Sequence, residues 1–235
     1  MLEIKNFTKV YPNGKIGADN INLTVESGDL FAFIGPNGAG KTTTIKSVVG
    51  INTITNGDIL VDGVSVKDDP MKVKSMLAYI PDNPDIYANL TGIQYINFVA
   101  DIYKVSKEDR AVLTKKYSEL LGLDKDLTTA IANYSHGMRQ KLVIIASLIH
   151  SPKLLVLDEP FVGLDPKASF EVKELMKDFC KNGGAIFFST HVLEVAEKLC
   201  NKVAIILDGK IVKSGTMQEI KKDKSLEEVF LGVAQ

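Results

Sequence analysis

Apolar residues fall along this chain in two rhythms, and each occupies its own stretch. Near the N-terminus short runs such as "LEIKNFTKVY", "INLTVES", "DLFAFIG" and "GDILVDG" are rich in β-formers and separated by Asn, Gly and Asp turns. They predict strands, with a helix, "KTTTIKSVVG", between the last two, closed by Gly50. A further strand, "MLAYIP", ends at Pro81. From about Asp82 to His150 the rhythm becomes helical, in "TGIQYINFVADIY", "KEDRAVLTKKYSELLG" and "HGMRQKLVIIASLIH". After that strand and helix alternate: "KLLVLDE", "PKASFEVKELMKDFC", "AIFFST", "VLEVAEKLC" and "KVAIIL", then a hairpin strand "GKIVKSGT" and a short helical tail. Continuous apolar strands alternating with amphipathic helices predict a parallel sheet covered on both faces. In "PKASFEVKELMKDFC" the buried face is expected to carry Ala168, Val172, Leu175, Met176, Phe179 and Cys180, with Pro166 in the first turn and Gly183–Gly184 past the end.

Composition narrows the class. At 235 residues, 45% apolar and 24% charged, the chain can bury a core like an ordinary globular protein. Its net charge of −1 gives no bulk attraction to nucleic acid or to an anionic membrane, and no nucleic-acid partner is expected. Cys180 and Cys200 form no C-x-x-C pair, which fits a reducing compartment. "MLEIKNFTKVY" alternates like a strand and lacks the apolar core of a secretory leader. The longest apolar run, Leu142–Ile149, is far short of the roughly 20 residues a membrane-spanning helix needs. A cytoplasmic chain is expected, and any membrane work would need another chain to supply the spans.

Three strand ends carry candidate chemistry. "FAFIGPNGAGKTTT" sets a strand, G-x-x-x-x-G-K-T and a helix in the order a phosphate loop requires. Gly35, Gly38 and Gly40 let the backbone wrap with its N–H groups inward; Lys41 is expected to reach the β- and γ-phosphates and Thr42 to ligate Mg²⁺. Pro36, Asn37, Ala39 and Thr43 complete the nucleotide-binding stretch. "LLVLDEP" is a buried strand presenting Asp158 and Glu159 at the tip where open α/β sheets bind ligands. Asp158 is expected to hold Mg²⁺ through its water shell, and Glu159 to polarise an attacking water. "IFFSTH" delivers His191 to the same sheet edge, in reach of a γ-phosphate. A further anion-friendly helix start lies at Ser135 and Gly137, where "NYSHGMRQK" opens an apolar helix.

In this order and over almost its whole length the chain resembles the ATPase subunit of an ABC transporter, in a form similar to the ATPases of ABC-2-type exporters. Gly35–Thr42 matches the Walker A loop, Leu154–Glu159 the Walker B strand, and His191 the switch histidine. Asp165 in "GLDP" matches the D-loop, Tyr11 in "KVYPNG" the aromatic that stacks on adenine, "YSHGMRQ" the signature motif, and Asp82 falls at the Q-loop. The resemblance implies a P-loop NTPase, RecA-like core with an N-terminal antiparallel β-subdomain over 1–81 and 151–235 and an inserted helical subdomain over 82–150. It implies ATP and Mg²⁺ as ligands, ATP hydrolysis, and a second ATPase subunit, identical or not. It further implies a separate integral-membrane permease, which would hold the chain on the cytoplasmic membrane face. Here the second helix start has a purpose: Ser135 and Gly137 would donate to nucleotide held by the partner chain.

The sequence departs from the family pattern in two places. The usual L-S-G-G-Q reads Tyr134-Ser135-His136-Gly137-Met138, keeping the serine and second glycine, and Asp82 stands where glutamine or glutamate is usual. Ser135 and Asp165 are also ordinary N-caps, and Tyr11 an ordinary strand residue. Ile86, Tyr87, Tyr95, Phe98 and Tyr103 are expected mainly to build the helical segment, with part of the cluster available to line a partner's groove. His150 is expected simply to end a helix, and Lys221–Lys224 to be a solvated face. A soluble or regulatory ATPase acting on a ribosome, DNA or cell-division partner is the alternative. A chain that binds nucleotide without hydrolysis is disfavoured by the joint presence of Lys41, Thr42, Asp158, Glu159 and His191.

Overall fold

The computed structural model describes residues 1–84 and 86–234. Two sheets organise it. In the first, β2 (Ile16–Val25), β1 (Leu2–Val10), β4 (Asn56–Val61) and β5 (Val64–Ser65) lie in that order, all antiparallel. The second has the order β10 (Lys210–Thr216), β9 (Lys202–Leu207), β3 (Leu30–Ile34), β8 (Ala185–Thr190), β7 (Leu154–Asp158), β6 (Leu77–Ile80). Its neighbours are parallel except for the β9–β10 hairpin.

Alternation along the second sheet divides the core into two layers. Ala32, Ile34, Leu155, Leu157, Ile186 and Phe188 face helices, while Phe31, Phe33, Val156, Phe187 and Ala204 face the antiparallel sheet. The helical side carries α3 (Gly92–Ile102), α4 (Lys107–Leu120), α5 (His136–Leu148), α6 (Pro166–Lys181), α7 (Leu193–Leu199) and the tail helix α9 (Leu226–Ala234). The other side carries α1 (Lys41–Val48) and α2 (Pro70–Met76). The tail's other helix, α8 (Met217–Lys221), follows β10 directly. Both faces of the parallel strands are therefore buried, as their unbroken apolar runs require. No helix among the described residues is long and apolar enough to cross a membrane.

Some details differ from the sequence expectation. The strand β5 and helix α2, too short to show a period, were not expected; α2 starts at Asp69, whose carboxylate accepts from Lys72 N at 3.0 Å, with Pro70 in its first turn. Tyr87 and Phe98 do not build the helical core: they are 60% and 42% exposed, stacked edge to face at 5.5 Å. Ile86, Tyr95 and Tyr103 are the members of that cluster that pack inward or line a groove. His150 does more than end a helix. It stacks on Tyr103 at 3.7 Å and places Nε2 3.1 Å from the Leu77 carbonyl, and burial lowers its pKa. Lys221 is not part of a solvated run, because its ammonium pairs with Glu197, which also accepts from Leu226 N at 2.9 Å.

Candidate functional site

The loop between β3 and α1 is shaped by close backbone approach. A Cβ at Gly35 would lie 2.4 Å from the Ile206 carbonyl, and one at Gly40 would lie 2.4 Å from that of Gly17. Gly40 also has φ +108, so glycine is required there on two counts. Gly40 caps α1 without a side-chain bond, leaving the first N–H groups of the helix free for an anion. Lys41 runs into this loop and is only 6% exposed; its Nζ donates to Gly35 O at 2.7 Å and Pro36 O at 3.2 Å. Burial lowers the Lys41 pKa, and the neighbouring Glu159 and Asp158 oppose that shift.

The end of β7 meets this loop. Asp158 is buried, directly opposite Ser189 in the β7–β8 register, and accepts a hydrogen bond from the Ser189 hydroxyl. The next residue, Glu159, turns sharply with φ +48, an arrangement costly for a non-glycine residue and common at functional sites. Its N–H donates to the carbonyl and the hydroxyl of Ser189, at 3.2 and 3.1 Å. The turned carboxylate lies 3.8 Å from Lys41 Nζ and 2.9 Å from His191 Nδ1. Glu159 is thus held between a buried cation and an imidazole that is half exposed.

A cavity of about 480 Å³ opens over these groups, large enough for a nucleotide. Asn37, Gly38, Gly40, Lys41, Thr42 and Thr43 line it on one side, Asp82, Asp158 and Glu159 on another, and Tyr11 at a third. The Tyr11 hydroxyl is 3.0 Å from Thr43 Oγ1, so the ring is fixed to the start of α1. Gly35, Pro36 and Ala39 belong to the loop without lining the cavity, and His191 joins it through Glu159. The Asp82 carboxylate accepts from Asn83 N at 2.8 Å, a local turn that aims it no further.

Ser135, Gly137 and Asp165 are not in this cavity. Ser135 caps α5, accepting from Met138 N at 3.2 Å, and Asp165 caps α6, accepting from Ala168 N at 2.9 Å. That backbone bond is the main cause of the lowered Asp165 pKa. Both N-cap readings therefore hold, and the helix start at Ser135 lies outside the cavity over the chain's own phosphate loop.

Sequence reasoning missed four residues of the site. Lys15, Ile16 and Gly17 line the cavity beside Tyr11 and have no motif of their own. Ser189 could have been suspected two positions before His191, but its partnership with Asp158 depends on strand order. Tyr79 on β6 is a further group close to these acids. Its hydroxyl pKa is pushed up to about 12 by burial first and then by Asp158 and Asp82.

Comparison with known proteins accords with this geometry. The family model described as ABC transporter matches residues 18–162. The chain is 37% identical to the ABC transporter ATP-binding protein YhcH of Bacillus subtilis (strain 168), over 97% of this chain and 72% of that one. It is 33% identical to the bacitracin transport ATP-binding protein BcrA of Bacillus licheniformis, covering 94% and 72%. A solved ATP-binding subunit of an ABC transporter superposes with a TM-score of 0.95 at 31% identity, covering all of both chains.

Proposed function

The chain belongs to the ABC transporter family as an ATP-binding, ATP-hydrolysing subunit, and from that premise we propose that two such subunits close head to tail around two ATP molecules. The observation that carries this is the separation of two anion-binding helix starts, one inside the cavity at Gly40 and one outside it at Ser135. A nucleotide seated in that cavity leaves the Ser135 start of the same chain open to another. A second copy, or a related subunit, brings its Ser135 and Gly137 onto the γ-phosphate, with Asp165 beside them at the interface.

In this reading Tyr11 stacks on the adenine and Gly35–Thr43 wrap the phosphates. Lys41 exchanges its bonds to the Gly35 and Pro36 carbonyls for phosphate oxygens. Glu159 orients the attacking water and accepts its proton, and His191 fixes the carboxylate while reaching the γ-phosphate. The donor set suits Mg²⁺: a buried carboxylate at Asp158 with one lone pair taken by Ser189, and the Thr42 hydroxyl at the same cavity. Bound there, the ion would neutralise phosphate charge. Asp82 is the third oxygen donor and the lead from the site into the helices.

The chain is read as one ATP-binding domain, with 82–150 as the helical insertion that receives the permease. A groove of about 320 Å³ supports this, lined by Ile51, Pro84, Ile86, Tyr95, Tyr103 and His150 between the insertion and the sheet edge. Its apolar floor suits an amphipathic cytoplasmic helix of a membrane protein. We place the chain on the cytoplasmic membrane face through that partner. Export is the favoured direction, on the S-H-G-M form of the signature motif.

Glu159→Gln tests the enzymatic part. It should bind ATP, lose most hydrolysis and accumulate as a dimer of twice the 25.7 kDa chain mass; near-normal turnover would remove Glu159 from the mechanism. The same protein, tagged and recovered with ATP from detergent-solubilised host membranes, should retain a multi-span protein in stoichiometric amount. Recovery with ribosomes, with DNA or alone would point to the soluble ATPase instead.

A further inference from the structure

The signature helix of this chain carries His136 where the family pattern has a small glycine, and the imidazole has a definite place. Gly163, in the turn before α6, has φ +76, and a Cβ there would lie 2.7 Å from His136 Cδ2 and 3.0 Å from Nε2. Both residues are exposed, and one edge of the ring lies over Gly163 in the space that a larger residue at that position would need. The contact is reciprocated one residue on: a Cβ on Gly137 would meet Leu164 Cδ2 at 3.7 Å. A turn deeper, Lys141 Nζ on α5 is 2.7 Å from Glu171 Oε2 on α6, with side chains only 14% and 16% exposed. Three layers thus join the start of α5 to the turn that carries Asp165.

We propose that His136 is a positioning residue that clips the signature motif to the Asp165 turn of its own chain, so that the two reach the partner subunit as one rigid unit. The inference rests on the head-to-tail reading above. Its physical content is spacing. Ser135 precedes His136 directly, and Asp165 follows Gly163 by two residues. Holding His136 against Gly163 fixes the distance between two groups that must engage the partner together. A glycine at 136 leaves the turn free to shift, and orienting it then opposes dimer closure. The clip works by packing, so ring shape matters and the ring nitrogens do not.

The test uses full-length protein in a Glu159→Gln background, reading the ATP-driven dimer constant by light scattering and ATP binding to the single chain by a fluorescent analogue. His136→Gly should weaken the dimer by on the order of three- to tenfold, a range typical of coupling between touching residues. Binding to the single chain should stay unchanged. His136→Phe, which keeps a ring edge, should stay within about twofold of the parent, on the same scale. Equal damage from Phe and Gly would overturn the proposal by showing that ring chemistry, not packing, is used. So would a His136→Gly protein that dimerises normally. A parent that stays monomeric in saturating ATP refutes the head-to-tail reading itself and takes this inference with it.

Discussion

Replacing Ser189 by alanine isolates a contact that no motif announces. Ser189 is fully buried and Asp158 is 2% exposed, so the hydrogen bond between them is not screened by water. A hydrogen bond to a charged group contributes about 1.5–3 kcal/mol, and its loss leaves a buried carboxylate short of a donor. For a chain of this length each kcal/mol moves the melting temperature by about 2–4 °C, so Ser189→Ala should melt roughly 3–12 °C lower. The same hydroxyl is one of two anchors on Glu159 N; the other, the Ser189 carbonyl at 3.2 Å, survives. The left-handed turn at Glu159 should therefore loosen without collapsing, lowering kcat on the order of tenfold through misplacement of the carboxylate. ATP binding, which depends on the loop at Gly35–Thr42, should change little. Urea unfolding and single-turnover hydrolysis read the two effects separately. A stability change below about 0.5 kcal/mol, the level of an ordinary surface substitution, with unchanged kcat, would refute the assigned role of Ser189.

Three further outcomes follow from the geometry. Lys41→Met should lower ATP affinity about tenfold or more by removing a charge-assisted contact. Retained affinity in an equilibrium titration would remove Lys41 from phosphate contact. Tyr11→Ala should weaken ATP binding by about 1–3 kcal/mol, the usual worth of a stacked base, whereas Tyr11→Phe should lose little; equal losses in a titration would assign the effect to the Thr43 hydrogen bond. Glu197 has its pKa lowered from 4.5, first by the Lys221 hydrogen bond and then by Leu226 N. The folded state therefore binds fewer protons than the unfolded one. The clamp on α9 should be intact above pH 4.5 and lost as pH falls through the lowered value, seen as a smaller protection factor for the Leu226 amide, its exchange compared with an unstructured amide at the same pH. An unchanged protection factor across that window would show that Glu197 does not hold the tail.

What the sequence made legible was local. A phosphate loop is a strand, a glycine-rich turn and a helix in direct succession, so Gly35–Thr43 could be placed residue by residue. Asp158, Glu159 and His191 could be found because long apolar runs show where parallel strands end. Contacts that depend on strand order were not legible. Ser189 faces Asp158 because β7 and β8 are neighbours in register, a fact about residues 31 positions apart. Short elements were missed for want of a period, as with Val64–Ser65 and Pro70–Met76. Aromatic content misled in the other direction: Tyr87 and Phe98 read as core, yet they sit on the outer side of the helices, pairing with each other.

Sharing of the nucleotide between two chains is open to a mixing experiment with two complementary variants. Lys41→Ala removes the phosphate-loop cation and Ser135→Arg blocks the signature helix start. Each protein alone should be inactive. In a head-to-tail pair formed from the two, one site combines the intact loop of one chain with the intact Ser135 of the other. Mixing should therefore restore a substantial part of the ATPase activity, up to about half per dimer in a two-site assembly. Mixtures that stay as inactive as their components would contradict the account, and a Ser135→Arg protein that hydrolyses ATP normally by itself would do so more simply.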